Sequence, residues 1–164
     1  LLPVADPDDG IDRELAERGC ALVVGTVGPD GSPYASRGWG LSLTPASASP
    51  VRLLLDAGDR VTIANLSRDV EHGGRIAVTG ADVVTLRSFQ LKGRSTAITP
   101  ATDDDLAKVD RYCDEFFTDI ANTDGTPRHL TERLRPAAFV ACTVEVEEAF
   151  DQTPGPDAGA RVQR

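Results

Sequence analysis

This sequence predicts a mainly β fold: an antiparallel barrel of about six strands with helices on its periphery. Three observations carry that reading. Short, β-rich apolar runs recur from Cys20–Val27 onward with dense turn signals between them. Residues 85–94 alternate polar and apolar side chains with period two, and only residues 102–122 carry a long apolar stripe at helical spacing.

Length and composition set the outer bounds. A chain of 164 residues, 40% hydrophobic and 26% charged, buries a core as one domain without disulfide or metal staples. Its organisation reads as an N-terminal arm and short helix (1–19), the barrel (20–150) and a flexible C-terminal tail (151–164). The 26 acidic against 17 basic residues, a net charge of -9, disfavour nucleic acid and anionic membranes as partners. Cys20, Cys113 and Cys142 are odd in number, far apart and set in apolar patterns, so they read as buried small hydrophobes in a reducing compartment. No metal site is expected, because the three cysteines are far apart with no CxxC pair and only two histidines accompany them. Without a leader-like start or about 18 consecutive apolar residues, the reading is cytoplasmic. The absence of any Met, at position 1 included, reads as a trimmed product.

In chain order, Asp9 is positioned to cap a first helix over Ile11–Arg18, with Gly19 as its stop. Cys20–Val27, the turn Gly28–Pro33 and Tyr34–Leu43 form a hairpin. Thr44–Pro50 reads as a loop before a strand over Val51–Asp56. Asp59 caps a helix over Arg60–Ser67 with Val61 or Ile63, Ala64 and Leu66 inward. His72 falls in an exposed turn, Arg75–Thr79 is a strand, and a long strand follows over Val83–Ala97. Thr102 and Asp105 open the longest helix with a capping-box pattern; Leu106, Val109, Cys113, Phe116, Phe117 and Ile120 face inward. The run Asp103–Asp105 complements the dipole of that helix rather than holding a cation. A short helix over His129–Arg135 and a closing strand over Ala137–Glu147 complete the order.

The candidate binding residues fall in three places. Ser36, Arg37, Gly38 and Trp39 lie on a strand whose glycines let a flat ligand approach the backbone. Arg60 stands at a helix start whose free N–H groups suit a phosphate, with Asn65 further along the same helix. A solvated first-turn arginine is the competing reading. Ser88, Gln90 and Lys92 share the polar face of the later strand, opposite Arg87, Phe89 and Leu91. Arg52, on a neighbouring strand, lies outside this set.

Between Cys20 and Ala97, with a closing strand near 137–146, this order of elements resembles the split-barrel flavin-binding family typified by pyridoxamine 5'-phosphate oxidase. The resemblance implies a split β-barrel of the FMN-binding type and a homodimer with the cofactor between protomers. It also implies a redox activity on a small-molecule substrate. Arg37 matches the phosphate-gripping Arg of the early strand. Where the family has an Arg-Lys pair at the helix start, this chain has Asp59-Arg60, and Ser88 stands where a flavin-contacting Gln is expected. The oxidase's C-terminal Arg and His signature is missing, so vitamin B6 oxidation is not implied; a divergent branch is. FMN, the deazaflavin F420, haem held by His72 or His129, and no cofactor all stay open, as does a non-catalytic carrier or sensor. Such chemistry would belong to the cofactor, so the lack of an acid–base signature does not exclude an enzyme. No GxSxG, P-loop, HExxH or helix-opening GxGxxG motif offers another class.

Overall fold

The computed structural model describes residues 11–44, 47–68 and 74–162. Helix α1 (Arg13–Glu17) starts at Asp12, whose carboxylate accepts the Leu15 N–H at 3.1 Å. It is shorter than expected, and Asp9 lies outside the described residues. Strands β1 (Ala21–Val27) and β2 (Pro33–Thr44) form the expected hairpin. Its turn closes through Gly28 N–H to the Ser32 carbonyl at 2.8 Å, with Gly31 supplying φ 84°.

Strand β3 (Ser47–Asp56) begins four residues before its predicted start, so the loop expected over 44–50 is mostly sheet. Thr44 pairs with Ser47, and the Ser49 hydroxyl accepts the Val146 N–H at 3.1 Å, which ties the segment into the barrel wall. Helix α2 (Arg60–Ser67) has the predicted bounds but a different buried face: Thr62, Asn65 and Leu66 point inward while Val61 and Ala64 are exposed. It packs against β1, β2 and two further strands, β4 (Gly74–Ala81) and β5 (Ser88–Pro100), so it meets a partly polar wall. Ser36 takes Thr62 at 2.8 Å, and Asn65 donates to Thr26 at 3.0 Å. An amphipathic-helix count cannot anticipate such pairs.

The long strand expected from Val83 starts only at Ser88. Asp82 draws the preceding residues into a turn by accepting the Val84 and Thr85 N–H groups at 2.8 and 3.0 Å, and Leu86 takes φ 62°. Helix α3 (Asp103–Asp124) carries the predicted capping box and buries Val109, Tyr112, Cys113, Phe116 and Phe117. Leu106, expected inside, is 38% exposed, and Asp105 is buried in its place. Helix α4 (Arg128–Thr131) and a 3-10 turn (Glu132–Leu134) lead to β6 (Phe139–Asp151).

The strands run β3-β2-β1-β4-β5-β6, and antiparallel pairing of β3 with β6, from Val51↔Val144 to Asp56↔Phe139, closes a six-stranded barrel. Alternate residues of β1 and β4, among them Leu22, Val24, Ile76 and Val78, fill the core. The far part of β6 is released from β3 and receives β7 (Arg161–Val162), which pairs with Phe150 and Ala149. Part of the segment expected as a tail thus returns to the sheet. Among the described residues no helix is long and apolar enough to cross a membrane.

Candidate functional site

The turn between β3 and α2 is built from its own aspartates. Asp56 Oδ1 accepts the Gly58 N–H at 2.7 Å, and Asp59 Oδ1 accepts the Thr62 N–H at 3.1 Å as the helix cap. The Ala57 N–H donates to the Ala138 carbonyl at 2.9 Å, which fixes the turn to the chain entering β6. This turn faces β2, and together they open a cleft of about 520 Å³. From β2 come Tyr34, Ser36, Arg37 and Trp39; the turn and α2 supply Asp56, Gly58, Asp59, Arg60 and Val61. Leu134 reaches in from the 3-10 turn.

Two guanidiniums stand at this cleft. Arg37 lies 5.1 Å over the Phe116 ring and 5.6 Å from the Trp39 centroid, so a cation–π shelf holds its charge at the border between α3 and the cleft. Arg60 is exposed at the first position of α2. Trp39 itself is 4% exposed and packs edge-on against Phe117 and Phe139, so only its edge lines the cleft. The helix start is less open than predicted: the Arg60 N–H donates to the Gly58 carbonyl at 2.9 Å and Asp59 takes the Thr62 N–H.

Of the predicted set, Ser36, Arg37, Trp39 and Arg60 come together here. Gly38 faces inward, where a Cβ would stand 3.0 Å from Leu22 Cβ and 3.1 Å from Leu53 Cδ1. Asn65 is spent on Thr26 at the barrel end. Ser88, Gln90 and Lys92 lie elsewhere. Ser88 donates to the Leu86 carbonyl at 2.9 Å, Gln90 donates to Thr79 at 3.0 Å, and Lys92 sits 4.9 Å over Phe150. The register Arg37–Val23–Thr79–Gln90 puts Gln90 three strands from Arg37, roughly 14 Å at the usual strand spacing. His129 is exposed on α4 and does not line the cleft; His72 lies outside the described residues.

Sequence reasoning missed Tyr34, Asp56, Gly58, Val61 and Leu134 as lining residues, and read Asp59 only as a helix cap. Tyr34 had a signal, since it shares the β2 face of Ser36 at period two; Leu134 had none, because the barrel's closure alone brings it near.

No family model and no curated protein matches this chain. Among solved structures, an F420 reductase aligns over 84% of this chain and 94% of its own at 19% identity, with a TM-score of 0.53. HupZ from Group A Streptococcus aligns over 91% and 99% at 17% identity and TM-score 0.48. A pyridoxamine 5'-phosphate oxidase-related, FMN binding protein from Nostoc punctiforme aligns over 85% and 77% at 12% identity and TM-score 0.47. At such identities the likeness is one of fold alone: the chain is a mainly β, closed six-stranded antiparallel barrel with peripheral helices, the split-barrel architecture its sequence predicts.

Proposed function

We propose that this protein binds a flavin-type cofactor, FMN or a deazaflavin, in the cleft between β2 and α2 and serves as an oxidoreductase on a small-molecule substrate. The observation that carries the reading is the convergence of Arg37 and Arg60, with no carboxylate in ion-pair contact with either among the described residues, on one cleft with the Ser36 hydroxyl. Two guanidiniums offer charge-assisted donors to the ligand's phosphoryl end. Tyr34, Val61, Leu134 and the edge of Trp39 supply apolar surface for a flat ring. The residues therefore fit an anion-tailed aromatic ligand.

The bound ring would supply hydride transfer; the protein's part is position and electrostatics. Arg37 and Arg60 would anchor the phosphoryl end, Arg37 held in place by the Phe116 and Trp39 faces. Leu134 and Val61 would keep water from one side of the ring. The same proposal takes the protein as a homodimer in the cytoplasm. Val23 and Val27, 49% and 42% exposed, border Gly25 on the outer face of β1, a flat apolar strip suited to isologous pairing beside Arg37.

The visible absorption spectrum of the purified protein is the test, followed by flavin and deazaflavin titration. Flavin or deazaflavin bands, or saturable binding of either, support the proposal. A colourless protein that binds neither overturns it, and a haem Soret band selects the other branch. Light scattering that finds a monomer at micromolar concentration removes the dimer.

A further inference from the structure

The charges lining the cleft bear on which anion it takes. Arg37 and Arg60 contribute two positive charges; Asp56 and Asp59, lining the same cleft, contribute two negative ones. Neither aspartate is neutralised by a cation among the described residues, for each carboxylate is engaged by a backbone N–H of its own turn, Gly58 and Thr62 respectively. The cleft is thus formally neutral, in a chain whose net charge is -9. The α2 start does not make up the difference. Asp59 already occupies its positive end, and the Arg60 N–H is taken by the Gly58 carbonyl.

A dianion placed between the two guanidiniums must also face both carboxylates, and it gives up more hydration than a monoanion does. Its second charge is attracted by two arginines and repelled by two aspartates, so the formal charges of the lining offer it no net excess of cation, while the larger desolvation cost stays. A monoanion needs one good guanidinium contact at each of two oxygens and carries less charge toward Asp56 and Asp59.

We propose that the cleft selects a ligand whose phosphoryl group is a singly charged diester over the doubly charged monoester of the same ring system. Asp56 and Asp59 are then the specificity-determining residues. The inference rests on the cofactor reading above and sharpens it.

The test is a fluorescence titration of the full chain at neutral pH with riboflavin, FMN and FMN monomethyl ester. The same 5'-phosphate and methyl-ester pair is run on a 5-deazaflavin ring. At neutral pH the monoester, with a second pKa of about 6, is largely dianionic, whereas the methyl ester carries one charge. The expected result is that the methyl ester binds about tenfold more tightly than the monoester on whichever ring is accepted. Asp59→Asn keeps a good helix cap, and it should narrow that gap by strengthening the monoester. Asp56→Asn should do the same without touching the cap, and serves if Asp59→Asn does not fold.

Monoester binding as tight as the ester or tighter, still weakened by Arg37→Ala, overturns the charge selection and leaves the cofactor site standing. If none of the five compounds binds, or if Arg37→Ala and Arg60→Ala alter none of the affinities, the cofactor site itself falls and the selection with it.

Discussion

Arg52 and Asp105 form a bidentate pair across the barrel wall: Arg52 Nε donates to Oδ1 at 2.7 Å and Nη2 to Oδ2 at 2.6 Å. The same Oδ2 accepts the Thr102 N–H at 2.8 Å, so one buried carboxylate closes the α3 capping box and fastens that helix to β3. Arg52 lies outside the cleft, as the sequence suggested, but it is a structural residue and a poor control for binding experiments.

Removing either partner should therefore destabilise the fold. Asp105→Ala loses the cap and strands the guanidinium, while Arg52→Ala leaves the 2%-exposed carboxylate unpaired. Each should cost about 3 kcal/mol, a fall in Tm of roughly 6–12 °C for a chain of this size. Thermal and urea unfolding read this directly. A loss below about 1 kcal/mol in both variants would show the pair to be dispensable.

Acid stability should depend on the same carboxylate. The Arg52 guanidinium, aided by Thr102, holds the Asp105 carboxyl well below the usual carboxylate range. A depressed folded-state value means its stabilisation is complete above the unfolded value of about 4 and drains away as pH falls below it. Urea midpoints of the native chain should drop from about pH 4 downward, and Asp105→Asn should be less stable at neutral pH with a shallower acid limb. Parallel limbs would assign the acid sensitivity to other groups.

Ligand affinity should fall when either cleft guanidinium is removed. Arg60→Ala and Arg37→Ala each delete charge-assisted donors worth about 1.5–3 kcal/mol, a weakening of roughly ten- to hundredfold. Arg60 is exposed, so its loss should leave Tm nearly unchanged. Arg37→Ala also gives up its shelf on Phe116 and Trp39 and should cost about 0.5–1 kcal/mol of stability. Arg111→Ala, exposed on α3 and away from the cleft, is the control and should bind normally.

Gly93 should tolerate no side chain. It sits at the β5 irregularity between Lys92 and Gly93, where an added Cβ would fall far inside the van der Waals contact distance of the Glu145 carbonyl oxygen. Gly93→Ala must push β5 from β6 and should cost about 3 kcal/mol or more. A variant as stable as the parent would mean the strands separate there at little cost.

The three cysteines should be silent to thiol reagents in the native state. All are buried, and burial pushes the Cys20 thiol up to about 12. Reaction with a chromogenic disulfide should appear only on unfolding, with three equivalents released. Fast labelling of native protein would place at least one thiol in an accessible environment.

Much of the fold was legible because local chemistry decides it. The Gly28–Pro33 turn, the Asp59 cap and the Thr102–Asp105 box set element boundaries within a few residues in sequence, and strand alternation set Phe89 and Leu91 on the face opposite Ser88, Gln90 and Lys92, the face the barrel buries. Arg37 and Arg60 were legible as candidates since a glycine-bounded strand and a helix start are local settings where a cation can meet an anionic ligand. The remainder needed the closed barrel. Only the pairing of β3 with β6 brings the 3-10 turn and Leu134 to the cleft, and only the plugging of the barrel end by α2 sends Asn65 to Thr26. Likewise, three intervening hydrogen-bonded steps keep Gln90 from Arg37. Periodicity reports which side of an element a residue occupies; the distance between two elements far apart in sequence is set by sheet order and closure, which no local pattern encodes.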